Sequence, residues 1–528
     1  MSHQAFTHEA RLYSVEQIRE IETRALAHQS EVTLMQKAGL AAAELAIKIG
    51  ASNLAPVLIL AGPGNNGGDA FEAGYQLTRQ GYKVICVMCG KFEKYSQDAQ
   101  AALQVAKDAG LEFIEPGALI NATSQDWSLV IDGLFGIGLK RAPEAEIARL
   151  IELVNNLAVE RAIPVLAIDV PSGLNADTGQ PVSSNSAVIQ ASHTITFIAN
   201  KTGLHTGSGK DYAGKVTVNQ LAIPEDFFPE CRSHLNERTS LLHALTPRKQ
   251  NSHKGSFGDV VILGGAKGVA GAAILAARAA QYAGAGRIYC SMLAEAPAYD
   301  SLHPEIMFRK LGEVSLAGAT VVIGPGLGAS ASAYALLSSA IQTARALIID
   351  ADALNLIAAD TKLQAFLRNR NTPCILTPHP LEAARLLNKS VADIQNNRLL
   401  AAHTLAQQFN AVAILKGSGS IICDRDGSLL INTTGNPALA SGGTGDVLAG
   451  VAGALLAQGC NSMDAARVAV WVHGHAADEL VALGTGPIGL TASELLPAIR
   501  SSINQMAYQA AHWQLIHSPD PILNQPGC

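Results

Sequence analysis

The chain has 528 residues, 48% hydrophobic and only 16% charged, and because one hydrophobic core stops growing at about 250 to 300 residues, two domains are expected. The formal net charge of -6 gives no broad basic field that would attract nucleic acid or an anionic membrane, so small molecules are the expected partners. The 48 glycines and 5% aromatic residues are typical of α/β enzymes with buried parallel strands and tight phosphate-binding turns.

The eight cysteines are scattered along the chain. The close pair Cys86 and Cys89 lies in an apolar run, and without a second CxxC pair a zinc site is not expected. Reduced thiols in a cytoplasmic protein are expected instead. The first residues, MSHQAFTHEARLYS, lack the apolar core of a signal peptide, which agrees with a cytoplasmic location.

Two stretches, residues 269–286 and 437–460, are apolar enough to be considered as membrane spans. Arg278 interrupts the first, and Asp446 with several glycines interrupts the second. Both are therefore predicted to be buried helices with glycine-rich starts, and no membrane association is expected.

The N-terminal half begins with a predicted polar helix over 15–27 and then alternates short apolar runs with amphipathic stretches. Strands separated by helices favour a parallel, doubly wound sheet of the Rossmann type, whose ligands bind at the carboxyl ends of the strands. The predicted strands are VLILAG (57–62), KVICVM (83–88), LVID (129–132) and VLAID (165–169), and the predicted helices cover 70–80, 97–109 and 144–157.

The segment AGPGNNGGDAF (61–71) follows the first of these strands and opens a helix, so its backbone N–H groups can hold an anion. Its glycines fit GxGxxG, but a dinucleotide site of that type also needs a ribose-binding acid after the second strand, where this chain has MCGKF (88–92). Asn65, Asn66 and Asp69 are costly to place in such a turn unless their side chains bind something.

Two further loops follow predicted strands, DGLFGIGLKRAP (132–143) and DVPSGLNADTG (169–179), and each starts with an acid. A single aspartate in this position is usually a helix or turn cap. Three loops that leave neighbouring strands at the same edge favour a common site instead.

Taken together, NNGGD, DxxFGxG and DxPSG resemble the N-terminal domain of the NAD(P)H-hydrate epimerase family, and the resemblance continues through TFIANKTGLHTG to about residue 224. The family interconverts the R and S epimers of hydrated NADH and NADPH (NADHX and NADPHX). The resemblance implies that the substrate is bound by Asn65, Asn66, Gly67, Gly68, Asp69, Gly136, Ile137, Gly138, Leu139, Lys140, Arg141, Ala142 and Asp169.

The same resemblance implies a potassium ion held by Asn66, Asp132 and Ser172, whose oxygen atoms suit a hard cation. Epimerisation at C6 of the hydrated ring, through ring opening or dehydration, needs an acid and a base. Asp169 and Lys140 are the candidate catalytic residues, although Lys140 alone would equally fit a solvated surface lysine.

Residues 222–254 interrupt the alternation of strands and helices, because the segment has three prolines, many polar residues and no clear strand. An interdomain connection is predicted here, with domains over 12–228 and 238–504. After Ser501 a last helix and a loose proline-containing end are expected. The predicted strands of the second α/β domain are 260–265, 320–328, 346–352, 374–379 and 411–417.

The C-terminal half carries HKGSFGDVVILGG, GPGLG, DADALN, TPHPLEAARL, LKGSGSII and NPALASGGTGDVLAG in this order. From 253 to about 500 it resembles the ADP-dependent NAD(P)H-hydrate dehydratase family, which implies a ribokinase-like α/β fold. In GGTGDVLAG, glycines and Thr444 precede a helix that can hold a phosphoryl group, while Asp446 can deprotonate a hydroxyl.

The resemblance implies substrate contacts by Ala272, Gly326, His379 and Asp446, and nucleotide contacts by Lys416, Gly417, Ser418, Gly419, Ser420 and Gly445. His379 lies between two prolines, which favours a substrate contact over a structural role. His473 and His475 lack the HExxH arrangement and are predicted to be packing or polar helix residues.

The sequence therefore predicts a bifunctional enzyme that epimerises NADHX and NADPHX and dehydrates the S form, with ADP as co-substrate, giving AMP and phosphate. Potassium is expected at the first site and Mg²⁺ at the second, in a cytoplasmic homo-oligomer. The alternative is a ribokinase-like kinase for a vitamin precursor with a non-catalytic N-terminal ligand-binding or protein-binding domain. TPHP and the fused NNGGD domain argue against that alternative.

Overall fold

The computed structural model divides the chain into two compact units, Thr7–His234 and Leu235–Cys528 together with Met1–Phe6. The loose C-terminal end expected after the last helix lies outside the described residues. The structure describes residues 6–28, 32–90, 95–121, 125–183, 186–245 and 247–517.

The first unit contains a seven-stranded, all-parallel sheet in the order β4-β3-β2-β5-β6-β7-β9. The strands of the unit, of which β1 and β8 lie outside this sheet, are β1 (Arg11–Tyr13), β2 (Val57–Ala61), β3 (Val84–Met88), β4 (Glu112–Ile114), β5 (Leu129–Gly133), β6 (Val165–Ile168), β7 (His193–Phe197), β8 (Asn200–Lys201) and β9 (Lys215–Asn219). Its helices are α1 (Val15–Ala27), α2 (Leu34–Ile49), α3 (Asn65–Arg79), α4 (Gln97–Asp108), α5 (Pro116–Asn121), α6 (Ala145–Arg161) and α7 (Gly209–Tyr212).

Both faces of this sheet are covered, because alternate residues of each strand point to opposite sides. In β2, Val57 and Ile59 join the core that includes α1 to α4, whereas Leu58 and Leu60 join the core that includes α6. The predicted doubly wound sheet is confirmed, and the predicted strands β2, β3, β5 and β6 begin and end within one residue of the predicted bounds. Helix α1 has the predicted bounds and starts with a Ser14–Gln17 capping box.

The second unit has a sheet in which β13-β12-β11-β14-β15-β16-β17 run parallel and β18 and β19 are added antiparallel. Its strands are β10 (Ser233–Asn236), which begins at the unit boundary, β11 (Asp259–Gly264), β12 (Arg287–Met292), β13 (Met307–Phe308), β14 (Thr320–Ile323), β15 (Ala346–Ile349), β16 (Cys374–Leu376), β17 (Val412–Leu415), β18 (Ile421–Cys423) and β19 (Leu429–Asn432). Its helices are α8 (Ala270–Tyr282), α9 (Ala331–Thr343), α10 (Ala351–Ala359), α11 (Thr361–Arg368), α12 (Pro380–Leu387), α13 (Val391–Asn396), α14 (Arg398–Phe409), α15 (Thr444–Ala457), α16 (Ser462–Ala482) and α17 (Leu495–His517).

The two apolar stretches of the sequence form α8 and α15, which pack against each other in the core of the second unit. Gly450 of α15 permits this close approach, since a Cβ there would lie 2.2 Å from the carbonyl oxygen of Ala276. The predicted buried helices are confirmed. Within the described residues, no helix combines the length and the hydropathy needed to span a bilayer.

The prediction that residues 222–254 contain no strand is wrong, because β10 lies within them. Asn236 is buried, and its Nδ2 donates to Asn432 Oδ1 and to the carbonyl of Arg467, each at 3.0 Å. Leu241 is fully buried in the core of the second unit. The strand depends on hydrogen bonds from a polar side chain, so it has no apolar pattern in the sequence.

Candidate active sites of the two units

The three N-terminal motifs come together at the carboxyl ends of β2, β5 and β6, which are neighbours in the sheet. NNGGD is the first turn of α3, where Gly64 occupies the N-cap position without a side-chain cap. The turn requires glycine, since a Cβ on Gly67 would lie 1.8 Å from the carbonyl oxygen of Gly62. Gly67 N and Gly68 N donate to the carbonyl of Gly64 at 3.0 and 3.3 Å, whereas Asn65 N and Asn66 N have no acceptor among the described residues.

Asp132 is completely buried near the carboxyl end of β5. Its carboxylate accepts from Ser172 Oγ at 2.6 Å, from Ser172 N at 2.8 Å and from Leu134 N at 3.2 Å. Burial raises the pKa of Asp132 to about 6 despite these hydrogen bonds. The two predicted potassium ligands Asp132 and Ser172 are thus in direct contact, in a place that lacks a compensating cationic side chain among the described residues.

Asn66 and Asp169 lie on either side of Gly136, the first residue of the predicted substrate loop. A Cβ added to Gly136 would be 3.1 Å from Asp169 Oδ2 and 3.2 Å from Asn66 Oδ1. Asn66 is buried, and its Nδ2 has no hydrogen-bond partner within the described part of the chain. Space bordered by a carboxylate oxygen and an unsatisfied amide is what a polar ligand needs.

Asp169 has a positive φ of 67° and forms an ion pair with Lys201, the Nζ atom lying 2.7 Å from Oδ1. A left-handed backbone at a non-glycine residue is costly and often marks a functional site. Asp69 and Glu22 also face this carboxylate, and burial together with the charge of Asp169 raises the pKa of each. Sequence reasoning included Asp69 and Asp169 but missed Lys201 and Glu22.

The rest of the predicted substrate loop lies further from this cluster. Lys140, Arg141 and Ala142 are exposed, and no described contact joins Lys140 to Asp169. Asn65 is exposed, and its Oδ1 accepts from Ser96 Oγ at 2.9 Å. Leu139 N donates to the carbonyl of Gly136 at 3.3 Å, which folds the loop into a turn.

The second candidate site is built at the start of α15. Gly443 precedes the helix with φ of 90°, and Thr444 Oγ1 donates to the carbonyls of Leu439 and Ser441, each at 2.9 Å. Asp446 lies in the first turn. Burial and the nearby carboxylate of Asp350 raise the pKa of Asp446 to about 7. An aspartate near this pKa can act as a general base at neutral pH.

Lys416, at the end of β17, lies among these carboxylates. Its Nζ is 2.8 Å from Asp350 Oδ1 and 3.8 Å from Glu382 Oε2. Burial opposes the charge of Lys416, but Asp350 and Glu382 outweigh it and the net effect raises the lysine pKa. Asp350 is buried and also accepts from Thr377 Oγ1 at 2.7 Å. Sequence reasoning missed Asp350 and Glu382, although both lie in motifs that it singled out.

His379 is the N-cap of α12, where its Nδ1 accepts from Leu381 N at 3.1 Å. Burial and the charge of Lys416 lower the pKa of His379. The neutral imidazole therefore has a capping role, and its half-exposed ring faces the same cluster as Lys416.

Three further predicted contacts lie in turns or helix starts of this unit. Ala272 is in the first turn of α8, and Gly326 has φ of 57° close to the carbonyl of Val269. The nucleotide segment 416–420 joins β17 to β18, and Gly417 has φ of 137° beside the buried Arg398 guanidinium. Gly445, the second residue of α15, is within 3.4 Å of Lys416 Nζ when a Cβ is added.

The two histidines of α16 lie in packed surroundings. His473 is buried, and burial lowers its pKa to about 4. His475 stacks on Trp471 with ring centroids 4.5 Å apart. In the described ranges, no group of three or more His, Cys, Asp or Glu side chains converges as a metal site.

The fold and the two clusters define a two-domain α/β enzyme with separate acid–base sites. The family model described as NAD(P)H-hydrate dehydratase matches residues 260–500, and the YjeF-related protein N-terminus matches residues 31–203. The bifunctional NAD(P)H-hydrate repair enzyme Nnr of Escherichia coli (strain K12) is 38% identical over 455 residues, 85% of each chain.

The enzyme of the same name from Coxiella burnetii is 34% identical and covers 93% of this chain and 99% of its own length. A crystal structure of the ADP/ATP-dependent NAD(P)H-hydrate dehydratase from Bacillus subtilis, co-crystallised with ATP and Mg²⁺, is 28% identical with a TM-score of 0.45, over 52% of this chain and 98% of that one. The chain belongs to the family of bifunctional NAD(P)H-hydrate repair enzymes. The predicted family and the predicted fold class, a Rossmann-like domain followed by a ribokinase-like one, are confirmed.

Proposed function

We propose that this chain restores NADH and NADPH from their hydrated forms. The N-terminal domain, residues 12–228, interconverts the R and S epimers, and the C-terminal domain, residues 238–504, dehydrates the S epimer with ADP as co-substrate. Similarity to bifunctional repair enzymes over 85% of the chain carries the proposal, because it spans both clusters. The same similarity disfavours a vitamin-precursor kinase with a non-catalytic N-terminal domain.

The cluster around α15 supports a phosphorylation followed by an elimination. Asp446 takes the proton of the C6 hydroxyl, the hydroxyl oxygen attacks the terminal phosphorus of ADP, and AMP leaves. The N-terminus of α15 stabilises the transferring phosphoryl group, and Lys416 with the 416–420 segment holds the nucleotide. Phosphate then leaves C6 as the ring nitrogen donates its electron pair, and loss of the C5 proton restores the double bond.

Mg²⁺ bound with the nucleotide fits this cluster, because the carboxylates of Asp350, Asp352, Glu382 and Asp446 outnumber the single cation Lys416. One or two of these carboxylates would hold the ion together with phosphate oxygens and water, the coordination that Mg²⁺ prefers. When bound, the ion would neutralise charge on the phosphates. Substrate contacts by Ala272, Gly326 and His379 remain part of the proposal.

Potassium fits the first site on the chemistry of its donors. Asn66, Asp132 and Ser172 would hold the ion, since all three offer oxygen atoms and the buried Asp132 carboxylate has no cationic neighbour among the described residues. The ion would supply positive charge beside the hydrated cofactor. Asp169 would exchange a proton with the ring, and residues 65–69 and 136–142 would bind the rest of the substrate.

The predicted homo-oligomer and cytoplasmic location stay predictions. The seven cysteines in the described ranges are free, which suits a reducing compartment.

Racemic NADHX tests the proposed function directly. The full chain with ADP, Mg²⁺ and K⁺ should recover all of the NADH, measured by its absorbance, because the first domain feeds R epimer to the second. A fragment of residues 235–528 should stop at about half, the S share. The fragment starts at 235 so that it keeps Asn236 and the buried Leu241.

Recovery of all the NADH by the fragment alone would contradict the division of labour between the domains. No recovery by the full chain would contradict the proposed function itself.

Replacing Asp132 by Asn should lower epimerisation by at least about tenfold, since it removes the charge of a metal ligand while keeping its size. Wild-type epimerisation should depend on K⁺ when choline replaces it at constant ionic strength, and Asp132→Asn should lose that dependence. Because the Asp132 pKa is about 6, stimulation by K⁺ should grow as pH rises through about 6, where half of the carboxylates are ionised, and fade below it. Dehydration of the S epimer serves as the control, and an equal loss there would contradict a separate ion site.

A further inference from the structure

Lys201 is one of the most completely buried charged side chains of the first unit, with only 1% of its side chain exposed. Its Nζ lies 2.7 Å from Asp169 Oδ1, donates to Thr196 Oγ1 at 2.7 Å, and reaches the carbonyls of Phe197 and Ala199 at 2.9 and 3.2 Å. Four acceptors surround an ammonium that has three hydrogens. Lys201 therefore has no N–H left for a substrate.

The contacts on the two oxygens of Asp169 differ. Oδ1 is held by Lys201 and also lies near Phe197 N and Thr196 Oγ1, at 3.4 and 3.5 Å. Oδ2 borders the space above Gly136, and no donor reaches it among the residues that the structure describes. One oxygen is thus anchored while the other is free to accept a proton.

The other charged groups near Asp169 are mostly negative. Asp69 lies on α3, near the carboxylate of Glu72, and Glu22 lies on α1, near the guanidinium of Arg19. Burial, together with this mutual repulsion, raises the pKa of both Asp69 and Glu22. Partly buried carboxylates that repel one another favour a neighbouring cation, and among the described carboxylates the ammonium of Lys201 contacts that of Asp169.

We infer that Lys201 is a positioning residue of the epimerase site, which anchors Oδ1 of Asp169 and thereby directs its Oδ2 toward the substrate. This inference rests on the proposed epimerase function. It makes Asp169 the base and removes the need for Lys140 in proton transfer. No described contact places Lys140 in the cluster, whereas Lys201 contacts it directly.

The test measures conversion of R to S epimer without ADP, as kcat/KM against pH, in the full chain. In Lys201→Met, the pH below which kcat/KM falls (the acid limb of the profile) should rise by about one to three units, the effect expected when an opposite charge is lost. Lys201→Arg should keep the limb close to wild type. Lys83→Met, an exposed lysine of the same unit, is the matched control and should leave the profile unchanged.

An unshifted limb in a folded Lys201→Met chain would overturn the inference. Lack of epimerisation in the wild type would instead overturn the proposed function. If Lys201→Met melts at a much lower temperature, the double variant Lys201→Met/Asp169→Asn decides. A higher melting temperature in the double variant than in Lys201→Met would show that Lys201 compensates the charge of Asp169, because the unpaired charge is gone. Equal melting temperatures in the two variants would show that Lys201 is only structural.

Discussion

Asp446→Asn should lower dehydration of S-NADHX by about 10²- to 10⁴-fold, the usual cost of losing a general base. The wild-type rate should rise as pH increases through about 7, because the Asp446 pKa is about 7 and only the ionised carboxylate accepts a proton. Asparagine keeps the size and most of the hydrogen bonding, so folding and nucleotide binding should persist. The measurement is NADH absorbance with the S epimer, ADP and Mg²⁺ at several pH values.

Asp393→Asn is a matched control, since Asp393 occupies the third position of α13 as Asp446 does in α15. Asp393 is exposed, and no described contact joins it to the cluster of Asp446, so the Asp393→Asn variant should dehydrate at close to the wild-type rate. Interconversion of R and S should continue in both variants. If Asp446→Asn dehydrated as fast as Asp393→Asn, Asp446 would only stabilise the start of its helix, and another residue would have to activate the hydroxyl.

The sequence predicted the fold well where the apolar pattern is strong. The buried strands β2, β5 and β6 are continuous apolar runs, and α1 has both a periodic pattern and a capping box. Helix α2 was not predicted, because its buried face consists largely of alanines and the apolar contrast is weak. Strand β10 was missed because Asn236 makes its key contacts with residues about two hundred positions away.

The site was predictable only in part for a similar reason. Motifs place Asn66, Asp132 and Asp169 at strand ends, and the parallel sheet brings such ends together. Sequence reasoning missed Lys201 in the first cluster and, in the second, the Asp350 carboxylate that pairs with the predicted Lys416. Lys416 and Asp350 are 66 residues apart in the chain, so their pairing appears only in three dimensions.

The two clusters share one feature, a lysine among carboxylates, but the lysine acts differently in each. Each cluster sets a lysine among several carboxylates, but every N–H of Lys201 is taken by an acceptor, so Lys201 acts through Asp169. Lys416 is 19% exposed and, within the described chain, donates a hydrogen bond only to Asp350. Its remaining N–H groups can reach a phosphate, so the second lysine suits direct contact with a nucleotide.

Gly136→Ala should lower epimerisation by about 10²-fold, the scale of loss expected when reacting groups are displaced by about 1 Å. The new methyl group would lie 3.1 Å from Asp169 Oδ2 and 3.2 Å from Asn66 Oδ1, and would fill the space that the substrate needs. The φ of Gly136 lies outside the left-handed region, so alanine adds no backbone strain. The rate is measured as R-to-S conversion without ADP, alongside thermal melting.

Gly138→Ala is the comparison within the same loop, because a Cβ on Gly138 meets nothing within 4 Å. Its loss of epimerisation should be much smaller than that of Gly136→Ala, while both variants melt like wild type and dehydrate the S epimer normally. A pair of variants with equal rates would show that the space between Asp169 and Asn66 is not where the hydrated ring reacts. The base would then have to act from outside this opening, which the anchored Oδ1 of Asp169 does not permit.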